Sequence, residues 1–442
     1  MGRGKRALID RGDREKISHD FSTTFWVEAG AGTGKTTLLI KRLINLVAIE
    51  GAHLDRVVAV TFTEKAAGEI KERLREGLEQ ELTADLPDRQ RDRIIRALGE
   101  IEYAPIKTIH SFATSLLRER PVEAGIDPLF RVLDAEETES LCSRAWDDWF
   151  LEELDANRAI LERALDFKFS ESHLRELALL LYNHRDIVEE GSSRDVPALT
   201  VESFMASLES EFQLVTDLAG SCVRRDDAGY QQYIEFADWL GANRLLKNDD
   251  LLKSILFLMP EARNKGNKKN WSPPERCTTQ KKIFKYIRGA QERIKSIIVS
   301  SIIDEIIDWL KDYLGYVEEK KREAGVLDFN DLLIKARDLL KDNIEIRGYF
   351  QKRYSHLLID EFQDTDPLQA EIIFFLAEKE PLAVNWNEVK IIPGKLFIVG
   401  DPKQAIYRFR RADIEIYEEA KKLVMEQGKV VKIIQNFRTV PS

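Results

Sequence analysis

The residues with the most evident chemistry lie in two short stretches far apart in the chain. The first is Ala29-Gly-Ala-Gly-Thr-Gly-Lys-Thr-Thr, where Gly30, Gly32 and Gly34 alternate with small residues and lead into Lys35, Thr36 and Thr37. Glycines at that spacing let a turn bring backbone N–H groups inward around phosphate oxygens, those of Ala31 and Thr33 included. A lysine just behind them reaches the outer phosphates of a nucleoside triphosphate, and the next hydroxyl can join the shell of a Mg²⁺ ion. Ala29 stands where the strict pattern has glycine. The second stretch is Asp360-Glu361, at the end of Leu357-Leu-Ile. A triphosphate hydrolase needs one carboxylate for the metal and another to polarise the attacking water, and Asp360 and Glu361 suit these tasks in that order. Each stretch has a plainer reading, a glycine-rich connector for the first and a helix-capping aspartate for the second. Their joint occurrence favours hydrolysis, with ATP and Mg²⁺ as the expected cofactors and Thr36 and Asp360 as the metal's protein ligands.

Groups this distant in sequence meet when a sheet brings strand ends together. Phe25-Trp-Val, Val57-Val-Ala-Val-Thr-Phe, Leu357-Leu-Ile, Leu396-Phe-Ile-Val and Val430-Val-Lys-Ile-Ile are apolar runs that each stop at a polar or glycine-rich turn. Such runs are expected of strands buried on both faces, as in a parallel sheet covered by helices. Between about Phe112 and Gly325 the chain changes to stretches such as Ile302-Ile-Asp-Glu-Ile-Ile-Asp-Trp-Leu, whose apolar residues recur at the spacing of amphipathic helices. The expected fold is an α/β domain, a parallel sheet with helices on both faces, made from residues 1–112 and 326–442. A mainly helical insertion occupies 113–325. The loop from Arg263 to Lys285 holds eight Lys and Arg together with Trp271, and reads either as a mobile solvated loop or as one that contacts a duplex.

The 442 residues hold 67 Lys and Arg against 77 Asp and Glu, a formal net charge of −10, and 43% are hydrophobic. That apolar fraction supports a packed core and excludes a mainly disordered chain. The acidic excess is confined to one part: residues 1–112 and 326–442 together hold 37 basic and 37 acidic side chains, and residues 113–325 hold 30 and 40. A polyanion site on the sheet-bearing part is therefore not disfavoured by the total, because local fields decide. Cys142, Cys222 and Cys277 are widely separated and form no Cys-x-x-Cys pair, which speaks against a disulfide framework or zinc knuckle and for a cytoplasmic chain. No stretch approaches the roughly 18 apolar residues of a membrane span, so no membrane association is expected.

Asp360-Glu-Phe-Gln-Asp-Thr-Asp-Pro-Leu-Gln resembles the second helicase motif of the superfamily 1A helicases, the UvrD/Rep group. Gly400-Asp-Pro-Lys-Gln-Ala-Ile-Tyr-Arg-Phe-Arg-Arg-Ala-Asp-Ile resembles their third, in the form carried by RecB and AddA recombination subunits. Thr61-Phe-Thr-Glu-Lys-Ala-Ala-Gly-Glu-Ile is similar to the motif after the second strand, and Thr108-Ile-His-Ser-Phe to the one after the third. Leu327-Asp-Phe-Asn-Asp-Leu-Leu is similar to the segment that re-enters the first lobe after its inserted domain, and Asn436-Phe-Arg-Thr to the fourth motif. The likeness implies a P-loop, RecA-like first lobe. It further implies that Gln404 senses the γ-phosphate, that Arg438 contacts it, and that Gln363 belongs to the same coupling network. Thr61, Phe62, Thr63, Lys65, His110 and Ser111 would hold single-stranded DNA, with Tyr407, Phe409 and Arg410 at the DNA and coupling surface. Hydroxyls and cations along a sugar-phosphate track, with aromatic faces under bases, bind in a sequence-tolerant and salt-sensitive way. Phe62 and Phe112 also suit a core, His110 a buried histidine satisfied by backbone, and Arg410 and Arg411 solvated surface charge.

Two departures accompany the likeness. Asp13 stands where the family usually has a glutamine that recognises adenine, which leaves the nucleotide preference open. The chain continues only four residues past Arg438, so the expectation is a first lobe without the second RecA-like lobe, its arginine finger or a nuclease domain. The expected function is that of the ATP- and single-stranded-DNA-binding lobe of a 3′→5′ DNA helicase or translocase in repair or recombination, the polarity resting wholly on resemblance. Its expected partners are DNA with a 3′ single-stranded tail and a second-lobe or nuclease-bearing polypeptide; alone it would be a weak ATPase that does not unwind. The alternative is a non-catalytic nucleic-acid-binding or assembly module with nucleotide as a ligand switch. A small-molecule kinase accounts for none of the motifs beyond the phosphate loop and Asp360-Glu361.

Overall fold

The computed structural model describes residues 10–156, 159–188, 200–404 and 414–436. The chain divides into two compact units, Met1–Glu136 with Lys321–Ser442, and Glu137–Lys320.

The first unit is built on a six-stranded sheet of β1 (Phe25–Ala29), β2 (Val57–Thr61), β3 (Ile106–Thr108), β6 (His356–Ile359), β7 (Leu396–Gly400) and β8 (Lys429–Ile433). The order is β3-β2-β6-β7-β1-β8 and every neighbouring pair is parallel. β4 (Arg131–Val132) and β5 (Val326–Leu327) form a separate parallel pair. Successive residues of a strand point to opposite faces, and here both faces are dry. Trp26, Val58, Val60, Leu357, Ile359 and Ile398 enter one core, with apolar residues of helices Ile109–Glu119, Phe329–Asp342, Pro367–Ala377 and Ile414–Gln427. Phe25, Val27, Val57, Ala59, Leu358, Phe397 and Val399 enter the other, with helices Arg11–His19, Lys35–Asn45, Glu64–Leu82 and Asp88–Glu100. Two-sided burial is why these strands read as unbroken apolar runs. Helix Pro367–Ala377 is apolar nearly all round because it is enclosed; Asp366 caps it by accepting from the Gln369 N–H at 2.8 Å, and Pro367 occupies its first turn, where no N–H is needed.

The insertion is shorter than the change in sequence character suggests. Residues 113–136 belong with the sheet: Ala113, Leu116 and Leu117 continue the buried face of helix Ile109–Glu119, and Phe130 joins the same core. That helix has the same three-and-four spacing as those of the insertion, so periodicity alone does not mark where one unit ends. At the other end Lys321, 2% exposed, places its ammonium 2.7 Å from both carboxylate oxygens of Asp331, which with Asp328 forms the capping box of helix Phe329–Asp342. This buried pair draws 321–325 into the first unit.

The second unit is helical throughout its described secondary structure apart from an isolated Cys222–Trp271 bridge, and holds all but the last turn of the long helix Glu275–Ala324. An aromatic group fills it: the Trp149 ring lies 4.9 Å from Trp309 and 5.5 Å from Trp146, and the indole N–H groups of Trp309 and Trp146 donate to Glu153 and Glu171. Those two buried indoles thus keep a polar partner. The basic stretch from Arg263 is held in place. Trp271 is buried against Cys222 and Cys277, while the Asp227 carboxylate accepts from the Asn267 N–H, the Asn270 amide, the Trp271 indole and the Gly229 N–H. Those donors hold the Asp227 carboxyl below its usual range against the opposing effect of burial. The mobile-loop reading fails here because one carboxylate organises the turn, and Trp271 has no free face to offer a duplex.

Burial shifts several basic groups of the first unit, among them Arg42, Lys395 and His356. Arg42, 1% exposed, donates to the carbonyls of Ile17 and Asp20 at the end of helix Arg11–His19 and lies 4.8 Å over the Phe397 ring. A cation there meets the negative end of the helix dipole, and burial lowers the guanidinium to about 10. Lys395 donates to the Gln351 carbonyl at 2.6 Å and is lowered by burial to about 8. His356, at the start of β6, is lowered to about 4 by burial and by the charges of Arg42 and Lys395.

Two outcomes follow. The folded protein disfavours protonated His356 relative to the unfolded value of 6.5, so its contribution to stability is present above that value and is lost as pH falls towards about 4. The drop in unfolding midpoint between about pH 7 and pH 4.5, followed by circular dichroism, is expected to be smaller in His356→Gln than in the wild type. Lys321→Met leaves the Asp331 carboxylate buried without its ammonium, and urea unfolding should show a loss of about 3–5 kcal/mol.

Candidate functional site

All six strands of the sheet run the same way, so the loops that follow β1, β2, β3, β6 and β7 gather along one edge. In open parallel sheets that edge is where ligands bind. β1 ends at the buried Ala29, residues 30–34 turn, and helix Lys35–Asn45 begins. Gly32 and Gly34 have φ of 76° and 81°, a left-handed backbone that a side chain would strain. The Gly30 carbonyl accepts from the Thr33 N–H at 3.2 Å and from its hydroxyl at 2.7 Å, which closes the turn. Two carbonyls of the loop are held from outside: that of Ala31 accepts from the Asn436 amide and that of Thr33 from Arg14, both at 2.9 Å. A turn of this kind ahead of a helix N-terminus is a concave set of N–H donors suited to phosphate. Thr36, the second residue of the helix, is half-buried, and Thr37 is exposed.

Asp360 follows β6 and is 8% exposed; its N–H donates to the Val60 carbonyl at 2.9 Å and its carboxylate accepts from the Glu361 N–H at 3.1 Å. Burial and the neighbouring Glu361 charge push Asp360 up to about 6, and the same two causes push Asp364 to about 6. Glu361 has φ 54° and ψ 43°, a left-handed conformation that costs an ordinary residue about 1–2 kcal/mol and is tolerated where surrounding structure enforces it. Its Oε2 accepts from Lys35 Nζ at 2.5 Å and from Gln363 Nε2 at 2.7 Å. The chain of contacts continues: the Gln363 side-chain carbonyl accepts from the Asp401 N–H at 2.8 Å, and the Asp401 carboxylate accepts from Gln404 Nε2 at 2.5 Å. Lys35, Glu361, Gln363, Asp401 and Gln404 thus form one hydrogen-bonded path across the ends of β1, β6 and β7. Lys35 contacts Glu361 directly, and its charge also acts on Asp360 and Asp364; the Asp360 carboxylate and the Thr36 hydroxyl are oxygen donors of the kind a hard divalent cation takes.

The remaining expected residues sit at the ends of β2 and β3. Thr61 is buried at the end of its strand, Phe62 is half-buried, and Thr63 caps helix Glu64–Leu82 by accepting from the Ala66 N–H at 3.1 Å; Lys65 is exposed. His110 stands edge-on to the exposed Phe329 ring at 5.7 Å, and burial holds its imidazole below the usual range. The hydroxyls of Ser111 and Thr108 both donate to Glu64, at 2.6 and 2.7 Å, and hold its carboxyl low. Phe112 lies in the core against Tyr354, which decides its case in favour of packing. Tyr407, Phe409, Arg410, Arg411 and Arg438 lie outside the described residues. Asp10, Arg14, Glu64 and Asp401 are contributors that motif reading missed. Asp401 follows β7 directly, and its place at a strand end marks it; Glu64 lies within the run that begins at Thr61. Nothing local marks Asp10 and Arg14, and Asp13 beside them is exposed.

A family model described as the UvrD/REP helicase N-terminal domain matches residues 10–425. The chain is similar to proteins named as the A subunit of an ATP-dependent helicase/nuclease. That of Syntrophomonas wolfei subsp. wolfei is 28% identical over 97% of this chain and 37% of the relative; that of Pediococcus pentosaceus is 26% identical over 94% and 36%. In Listeria monocytogenes serotype 4b the relative is 27% identical over 93% and 36%. The chain therefore spans a little over a third of the length of these relatives. No helix among the described residues is long and apolar enough to cross a membrane.

The path through Gln363 has a measurable energetic signature. Gln363→Ala strips the buried Asp401 N–H of its acceptor, and urea unfolding should register a loss of about 1–3 kcal/mol. Gln404→Ala should cost clearly less, since Asp401 keeps the Lys403 N–H at 3.1 Å.

Proposed function

The chain belongs to the UvrD/REP helicase family, and from that footing we propose that it is the ATP- and single-stranded-DNA-binding lobe of a 3′→5′ DNA helicase or translocase acting in repair or recombination in the cytoplasm. The observation that carries this reading is the continuous path from Lys35 through Glu361, Gln363 and Asp401 to Gln404. A bare nucleotide-binding domain needs Lys35 and the loop amides; it has no use for a relay that joins the phosphate site to the start of the third motif. The set Thr61, Phe62, Thr63, Lys65, His110 and Ser111, at and just after the ends of the two strands beyond β6, suits a sugar-phosphate track with little sequence preference. The resemblance assigns Tyr407, Phe409 and Arg410, which lie outside the described residues, to the same DNA-binding role.

The residues divide the work as follows. Amides of the loop from Ala29 to Thr37 and the Lys35 ammonium hold the triphosphate. The Thr36 hydroxyl and the Asp360 carboxylate are the oxygen donors that would hold Mg²⁺, which when bound offsets phosphate charge. A triphosphate draws Lys35 away from Glu361 and leaves that carboxylate to accept a proton from the attacking water. Gln363 feels the same change, because one amide serves Glu361 and Asp401 together, and Gln404 and Arg438 answer to the γ-phosphate. Full turnover needs a second lobe on the other side of the nucleotide: an arginine finger contributes about 10³–10⁵ in rate where one operates. The partners proposed are accordingly DNA with a 3′ single-stranded tail and a polypeptide that carries the second lobe, with or without a nuclease.

The test is ATP hydrolysis with and without single-stranded DNA, in the presence and absence of a second-lobe polypeptide. Stimulation by DNA is expected only with both lobes. Glu361→Gln should keep nucleotide binding and lower the stimulated kcat by about 10²–10⁴-fold, and Lys35→Ala should lose binding. DNA binding that ignores both substitutions and ATP would overturn the motor reading.

A further inference from the structure

A phosphate loop binds through backbone N–H groups, so something must fix which way its peptide planes face. In a planar trans peptide the carbonyl of one residue and the N–H of the next point in opposite directions. Holding the Ala31 carbonyl outward therefore turns the Gly32 N–H inward, and holding the Thr33 carbonyl outward turns in the Gly34 N–H. Both carbonyls are held: Ala31 by the Asn436 amide and Thr33 by the Arg14 guanidinium, each at 2.9 Å. Glycine at 32 and 34, with φ of 76° and 81°, leaves those planes free to rotate unless they are fastened.

The two fasteners are themselves joined. Arg14 donates to both oxygens of Asp10, at 2.8 and 3.2 Å, and the Asp10 carboxylate accepts the N–H groups of Ile434 and Gln435 at 3.0 Å, where the chain leaves β8 on its way to Asn436. Asp10 is 5% exposed and the Arg14 side chain 14%. Behind them, helix Arg11–His19 is bolted to the phosphate-loop helix by Arg42 and by Asn45, whose amide donates to the Ser18 carbonyl at 2.9 Å. The loop tip is thereby tied to both the N-terminal helix and the segment after β8.

The geometry points to Arg14 as a positioning residue of the phosphate loop, seated on Asp10 and acting with Asn436 to aim the Gly32 and Gly34 amides at a bound phosphate chain. This rests on the reading of residues 29–37 as a nucleotide site. It assigns Arg14 to phosphate affinity and not to recognition of the base, the task that the neighbouring position 13 has in the family.

Calorimetric titration of the full chain with ATP, ADP and inorganic pyrophosphate, each with Mg²⁺, tests it, with unfolding midpoints measured without ligand. Arg14→Ala should weaken all three by a common factor of about 10-fold. Arg14→Lys, which keeps the charge beside Asp10 and one donor, should recover to within about 3-fold of the wild type. Asn436→Ala, at an exposed side chain that puts folding at little risk, should weaken all three by about 3-fold. Unchanged dissociation constants in the arginine variants with a lowered unfolding midpoint would mark a structural role only and overturn the proposal. A loss for ATP and ADP without one for pyrophosphate would overturn it in favour of a base contact. If the wild type and Lys35→Ala bind none of the three alike, the nucleotide reading itself has failed, an outcome separate from failure at Arg14.

Discussion

A parallel strand cannot be followed by a hairpin. Each of the six strands must be followed by chain that travels back along the sheet before the next begins, and this single constraint arranges most of the first unit. The returning segments are helices, they cover both faces, and they oblige the strands to be apolar on both sides. They also deliver every strand's end to the same edge, so that the segment after β1 and the segment after β6, separated by more than three hundred residues of sequence, place Lys35 and Glu361 in direct contact. The chemistry depends on that convergence more than on either motif alone.

Within the converged edge, the residues share partners economically. Glu361 accepts from both Lys35 and Gln363, and Gln363 uses its two polar ends on different strands' loops. Groups that share a partner cannot be rearranged one at a time. A ligand that claims Lys35 alters the surroundings of Glu361 at once, and the amide of Gln363 must answer at Asp401. The left-handed backbone of Glu361 sets the direction in which its side chain leaves the main chain, and the contacts with Lys35 and Gln363 fix the carboxylate at its end.

Much of this was legible in the sequence, for identifiable reasons. Gly32 and Gly34 could be read because only glycine takes their φ without cost, and Asp360-Glu361 because an apolar run announces the strand that presents them. The two dry faces of the sheet followed from runs such as Leu396-Phe-Ile-Val. What escaped was set by tertiary contact. Helix Ile109–Glu119 looks like any helix of the insertion, and only its place in the same core as Trp26 and Leu357 assigns it to the sheet. Trp271 in a basic stretch has the composition of a surface loop, and the Asp227 carboxylate that folds it inward lies some forty residues earlier. Asp10 and Arg14 act across more than four hundred residues, on a strand exit that no local pattern links to them.

The two-residue pair of β4 and β5 bears on how such a chain can change over generations. Arg131 lies opposite Val326 and Val132 opposite Leu327, so the chain departs from the first unit and rejoins it at adjacent points. Closing a loop whose ends are already neighbours depends only weakly on its length, about 0.6 kcal/mol for each doubling. What lies between Glu136 and Lys321, outside the first unit, can lengthen, shorten or be exchanged with little cost in closure entropy, while the motifs on either side remain under the demands of a shared site. The short ladder is a seam along which two rates of divergence can coexist in one polypeptide.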